Sequence, residues 1–177
     1  MQIVSLPAAQ YRNYPLHFEY DTTAYYDLVR QKTETGLTVT IEKKPMPRTH
    51  KEFESALYKP FFENAQAFGL IDNEGWLAGF LQVNHEKWND RLRVTDLLVP
   101  DGHRRRGYGT LLMCKAKAVA KTLGCRAIVL ETQSCNAGAI AFYKTQGFEL
   151  IGFDTMHYSN TDTEEHEVRI ELGQIIR

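Results

Sequence analysis

A mixed α/β fold, with a central, mostly antiparallel, twisted sheet flanked by helices, is what this sequence predicts, and three observations point to it. Strand patterns follow one another at 66–72, 76–84 and 91–99 with spacers too short for crossover helices, so these strands pair as an antiparallel meander. Two strand-then-helix units come next, the second opening on an apolar strand at 126–133, and each helix carries an apolar stripe at helical spacing. Strand patterns at 148–153 and 167–172 then close the sheet. At 177 residues, 43% hydrophobic and 24% charged, the chain can bury one sizeable core, and a single domain over 1–177 is expected.

From the N-terminus, Tyr11, Tyr14, Phe18, Tyr20, Tyr25 and Tyr26 favour strands, and Leu37-Thr38-Val39-Thr40-Ile41 alternates like a half-buried one. Two N-terminal strands joined across 32–36 are therefore expected. Pro45-Met46-Pro47 should break the chain, and Thr49-His50-Lys51-Glu52 should cap a helix running through Phe53, Ala56 and Leu57. Within the meander, Asp72-Asn73-Glu74-Gly75 forms the first turn, and Pro100-Asp101-Gly102-His103 ends the third strand. A helix begins at about Thr110, with Leu112, Ala116, Val119 and Leu123 as its buried stripe, Lys115, Lys117 and Lys121 off that stripe, and Gly124 as its stop. The next helix carries Ala139, Ile140, Phe142 and Tyr143, with Asn136 fitting its N-cap and Gly147 its C′ position. In the final strand Val168, Ile170 and Leu172 face inward against Glu167, Arg169 and Glu171.

A formal charge of −1 gives no reason to expect nucleic acid or an anionic membrane as a partner, despite the local run Arg104-Arg105-Arg106. Cys114, Cys125 and Cys135 lack metal-ligand spacing and cannot all pair, which implies no metal and fits a reducing cytoplasm. His85, His103 and His157 are scattered and read as surface histidines. No cleavable signal opens the sequence, and no apolar run approaches the ~20 residues of a membrane span. Neither repeats nor low-complexity tracts mark a second domain.

The chemistry concentrates in Arg104-Arg105-Arg106-Gly107-Tyr108-Gly109-Thr110, where three cations and two glycines meet the start of a helix. Glycines there let backbone N–H groups converge, and the helix dipole adds positive potential, so an anion is favoured. A Walker A loop needs Gly-Lys-Ser/Thr, but Gly109 is followed by Thr110-Leu111; a dinucleotide fingerprint needs glycine at 112, which is Leu. A plain basic loop at a helix entrance is the alternative. The Arg-x-x-Gly-x-Gly pattern, followed by the string Asn136, Ala139, Phe142, Tyr143, Gly147 and Phe148, resembles the two conserved blocks of the GNAT N-acetyltransferase superfamily, in the same order. The resemblance covers 60–172 and implies the GNAT acyl-CoA N-acyltransferase fold, with an acetyl-CoA-binding core over that range and a family-variable segment at 1–48.

By that resemblance, acetyl-CoA contacts fall on Leu98 and Val99, on Arg104, Arg105, Arg106, Gly107, Tyr108, Gly109 and Thr110 around the pyrophosphate, and on Asn136, Ala139 and Tyr143. The Leu98 N–H would face the thioester oxyanion and Val99 the pantetheine arm, at a bulge expected near 96–98. Such a bulge accounts for Asp96 sharing a parity with Leu92, Val94 and Leu98, and so does a strand buried on both faces. Tyr143, with an ordinary pKa of about 10, is the acid for the leaving thiolate, or else simply packs beside Phe142. Asn136 serves as an N-cap, and contact with the pantetheine arm is a second role open to it. Asp96 and Glu131 attract a cationic amine or relay its proton through water, or are ordinary strand carboxylates; Asp154 and Tyr158 are acceptor-side residues. Trp88-Asn89, Leu130-Glu131-Thr132-Gln133 and Gly152-Phe153-Asp154 are similar to streptothricin acetyltransferases, the GNAT enzymes that acetylate a streptothricin amine. Three readings follow: a small-molecule amine N-acetyltransferase, a CoA-binding sensor without turnover, and a protein or peptide N-acetyltransferase. Tyr143 weighs against the sensor, and a homodimer is left open.

Overall fold

The computed structural model describes residues 1–176, in the order β1 (Gln2–Ser5), α1 (Ala8–Tyr11), β2 (Pro15–Thr33), β3 (Gly36–Ala56), β4 (Ala65–Ile71), β5 (Leu77–Glu86), β6 (Arg91–Leu98), α2 (Tyr108–Thr122), β7 (Ala127–Gln133), α3 (Ala137–Thr145), β8 (Glu149–Asp154) and β9 (Arg169–Ile175). The central sheet is mostly antiparallel, and the chain divides into two compact units. The first holds residues 1–18, 52–130 and 173 onward; the second holds 19–51 and 131–172.

In the first unit the strands lie in the order β1-β4-β5-β6-β7. The three contacts from β1 to β6 are antiparallel, as the short spacers require, and β6 meets β7 in parallel. Between β4 and β5 the Asp72 carboxylate accepts from the N–H groups of Glu74 and Trp76, both at 2.9 Å, and Gly75 takes a left-handed φ of 88° that suits glycine. Leu6, Leu16, Leu57, Tyr58, Ala67, Phe80 and Leu98 form a buried cluster there. Helix α2 lays Leu112, Met113 and Ala116 against β5 and β6, and Gly79 on β5 lets it approach closely. In the second unit the order is β7-β9-β8, while β2 and β3 form a separate two-stranded ribbon. Val168, Ile170 and Leu172 are buried, as their alternation predicts.

Several expectations are corrected. No helix follows Thr49: residues 36–56 are one strand, β3, and Pro45-Met46-Pro47 does not break it. Both prolines share one parity on a strand with a single partner, so the N–H groups they lack need remove no ladder bond. Phe53 stacks on Phe18 with ring centroids 4.8 Å apart, a cross-strand contact that outweighs the weak local helix signal. Strand β1 and the single turn α1 carry too little pattern to be foreseen. Leu123, expected in the buried stripe, is 37% exposed because α2 ends at Thr122 and Leu123 is its C-cap. The expected bulge on β6 is present and is formed by Thr95 and Asp96, at the start of the expected stretch: Gln82 pairs with Asp96 and Val83 with Val94, leaving Thr95 as the extra residue. Burial does not change phase there, since Leu92, Val94, Asp96 and Leu98 are all buried. His85 and His103 are half-buried rather than surface groups, 3.8 Å from Asp90 and 3.7 Å from Asp72.

A Cβ at Gly79 would stand 3.0 Å from Leu112 Cδ1 and 3.3 Å from the Leu98 carbonyl oxygen. Gly79→Val should therefore cost about 1–3 kcal/mol through overpacking. Urea unfolding tests this, and unchanged stability would show that α2 does not press on β5 at that point.

Candidate functional site

Strand β6 is the backbone of the site. On one side it pairs with β5 along its length; on the other it meets β7 only from Arg91 with Ala127 to Arg93 with Val129. From Val94 to Leu98 that second edge has no strand partner among the described residues, leaving a row of backbone donors and acceptors available to an extended ligand. After Leu98 come Val99, Pro100 and a 3-10 turn at Asp101–His103. Arg104 braces this turn: its Nε donates to the Val99 carbonyl at 2.9 Å and its guanidinium pairs with Asp101. Arg105 and Arg106 are exposed, Arg105 at φ 60° and Gly107 at φ 81°. Gly107 occupies the N-cap position of α2 without a capping side chain, and the first intrahelical bond runs from Leu111 N–H to the Gly107 carbonyl at 3.1 Å.

A helix entrance lacking a side-chain acceptor, beside two exposed guanidinium groups, has the donor set and charge that a pyrophosphate requires. No Cβ contact limits approach at Gly107. Gly109 and Thr110 lie in the first turn of α2, whereas Tyr108 is buried with its ring stacked toward His103, the centroids 6.2 Å apart. Tyr108 thus anchors the helix start and does not face outward.

Asp96 sits next to the bulge and is only 6% exposed. Its carboxylate accepts from Ser55 Oγ at 2.7 Å and from Gln82 Nε2 at 3.0 Å. Burial pushes its carboxyl above the usual aspartate range, outweighing these hydrogen bonds and the Lys59 charge.

In the second unit, Asn136 caps α3 by accepting from the Ala139 N–H at 3.1 Å. Tyr143 is buried, its ring 5.3 Å from that of Phe142 and 6.1 Å from that of Phe148. Glu131, Asp154 and Tyr158 come together around a residue that the alternation marks only as outward-facing. Arg169 pairs with Glu131 and Glu171, both at 2.5 Å, and its Nη1 lies 3.0 Å from His157 Nε2. His157 is 3.8 Å from Asp154 and meets the Tyr158 ring edge-on. A second polar chain joins Lys51 to Glu167, Glu167 to Gln133, and Gln133 to the Tyr20 hydroxyl, which also contacts Cys135 Sγ at 3.3 Å. Burial holds the Tyr20 phenol above the usual tyrosine value. Arg169, Gln82 and Ser55 carry no local signal because each acts through partners distant in sequence, and His157, read only as a surface histidine, meets Arg169 here. Among the described residues, no helix is long and apolar enough to cross a membrane, and no group of His, Cys, Asp or Glu is set to hold a metal.

Comparison with known proteins gives the family and the fold. The model of the acetyltransferase (GNAT) family matches residues 23–148, more than half of the chain, and the chain belongs to that family. Streptothricin acetyltransferase of Streptomyces lavendulae is 36% identical over 110 residues, spanning 62% of this chain and 58% of that protein. A nourseothricin acetyltransferase structure superposes with a TM-score of 0.76 at 26% identity, covering 99% of this chain and 98% of the other. A putative streptothricin acetyltransferase from Bacillus anthracis, solved in complex with acetyl coenzyme A, shares the fold with a TM-score of 0.75 at 22% identity, covering 99% and 97%.

The state of Asp96 has a measurable consequence. With its folded pKa above the unfolded value of about 3.9, the native chain holds a proton that the unfolded chain has released, so this group's contribution to stability falls as pH rises through that window. Urea unfolding of the natural chain and of Asp96→Asn at several pH values should show the natural chain's relative stability declining from pH about 4 upward and then levelling. A flat difference would mean that burial does not perturb the carboxyl.

Proposed function

We propose that this chain is an acetyl-CoA-dependent N-acetyltransferase that acetylates a primary amine of a small molecule, with a streptothricin antibiotic as the acceptor. The observation that carries this reading is the free edge of β6 leading into the uncapped entrance of α2 beside Arg105 and Arg106. The edge suits an extended pantetheine arm, with Leu98 and Val99 offering main-chain partners, and the helix entrance suits the pyrophosphate. Arg104 supports it by holding the loop. Acetyl-CoA supplies an activated acyl thioester.

Transfer forms a C–N bond and breaks the C–S bond, leaving a proton to be lost from the amine and one to be gained by the thiolate. The Leu98 N–H is the proposed donor to the carbonyl oxygen as charge develops on it, and Tyr143 the proposed acid for the thiolate. Glu131 is the better candidate for drawing a cationic amine, being 35% exposed, while Asp96 is enclosed. Glu131 already pairs with Arg169, so an incoming ammonium competes for a carboxylate that is already held in place. Asp154 and Tyr158 complete the acceptor side, and similarity to streptothricin and nourseothricin acetyltransferases supports the choice of amine. The reading takes 1–177 as one catalytic domain, and the absence of disulfides among Cys114, Cys125 and Cys135 suits a cytoplasmic enzyme.

Steady-state assays of acetyl-CoA turnover with streptothricin test the proposal. Tyr143→Phe should lower kcat by about 10²–10⁴-fold, and Glu131→Gln should mainly raise the acceptor's KM. No acetylation of streptothricin from pH about 6 to 9, a range spanning perturbed amine and base values, would reject the acceptor while leaving other amines to be tried.

A further inference from the structure

We propose that Gln82 is the positioning residue of acyl transfer: it clamps the β6 bulge and so sets which backbone N–H groups of 96–98 face the free edge. The inference rests on the reading of that edge as the acyl-CoA site. Gln82 is wholly buried in the middle of β5, where an apolar residue would be the ordinary choice. Its side-chain oxygen accepts the Tyr58 N–H at 2.5 Å, which orients the amide. Its Nε2 then donates to both residues of the bulge, Thr95 Oγ1 at 3.0 Å and Asp96 Oδ2 at 3.0 Å. Thr95 Oγ1 returns a bond to the Gln82 carbonyl at 3.3 Å.

The anchor is itself fixed. Tyr58 holds a left-handed φ of 57°, costly for an aromatic residue, while its hydroxyl donates to the Leu6 carbonyl and accepts from the Ala67 N–H at 3.0 Å. One side chain therefore joins a rigid point at Tyr58 to the extra residue on β6. In an antiparallel pair, N–H groups alternate between the two edges of a strand, and one extra residue reverses the phase beyond it. Without the clamp, Thr95 can slip back into register, and 96–98 turn their N–H groups the other way.

Gln82→Glu keeps the volume and the acceptor toward Tyr58 but presents an oxygen to Asp96. Two carboxylates then face each other at neutral pH, and acidification lets them share a proton that restores the bridge. Relative to the natural chain, kcat should fall on the order of 10²-fold at pH about 9 and recover severalfold toward pH about 6, with the KM for acetyl-CoA changing less. Equal kcat at every pH, or a loss that ignores pH, overturns the proposal. Gln82→Met supplies a readout independent of turnover: amide NMR shifts should change at 95–98 and at Tyr58, with β4 and α2 unaltered. Unmoved 95–98 amides, or changes spread over the whole unit, contradict the clamp. If the natural chain turns over no amine at all, the acyl-transfer reading fails, while the amide spectra still decide whether Gln82 sets the bulge.

Discussion

The proposed seat of the cofactor depends on how β6 shares its two edges. Its pairing with β5 is continuous apart from the Thr95 bulge, whereas its parallel ladder with β7 ends after Arg93 and Val129. A strand inside a sheet ordinarily uses both edges, and unpaired backbone groups in a protein interior are costly. An interior strand that leaves half of one edge open has backbone groups to offer a ligand's own amides, which is why that edge is proposed as the cofactor's seat. The sequence around that edge fits the purpose: Leu98 and Val99 lead through a proline and a tight turn into a helix entrance free of any side-chain cap.

Each unit carries its own local charge pattern. The net charge is −1, yet Arg105 and Arg106 stand exposed at the start of α2, so positive potential is local and directed at one backbone cradle. In the second unit Glu131, Asp154 and Glu171 surround Arg169 and His157, leaving carboxylates in excess. The proposed phosphate-bearing cofactor and cationic amine ask for opposite fields, which suit Arg105 and Arg106 and the Glu131 cluster respectively. Asp96 stands apart from both groups, enclosed and hydrogen-bonded by Ser55 and Gln82.

Much of this was legible in the sequence wherever local chemistry decides the outcome. Turn residues 72–75, the helix stop at Gly124, the Asn136 cap and the inward parity of Val168, Ile170 and Leu172 all depend on near neighbours, and all appear in the structure. The error at 49–57 has the opposite origin. Capping letters there suggest a helix, but Phe53 finds Phe18 and Leu57 N–H finds the Tyr14 carbonyl at 3.0 Å, contacts made by residues distant in sequence. Polar residues of the site divide likewise. Glycines and arginines of the loop announce themselves by spacing, whereas Gln82 and Arg169 are single letters whose meaning lies in partners on other strands.

Amide hydrogen exchange, recorded with and without acetyl-CoA, tests most directly whether the open edge of β6 is the cofactor's seat. Slowed exchange should appear within 94–99 and at 107–110, with β1 and β4 unchanged. Binding of acetyl-CoA that leaves the β6 edge exchanging as before, or that protects a different face, would contradict the account.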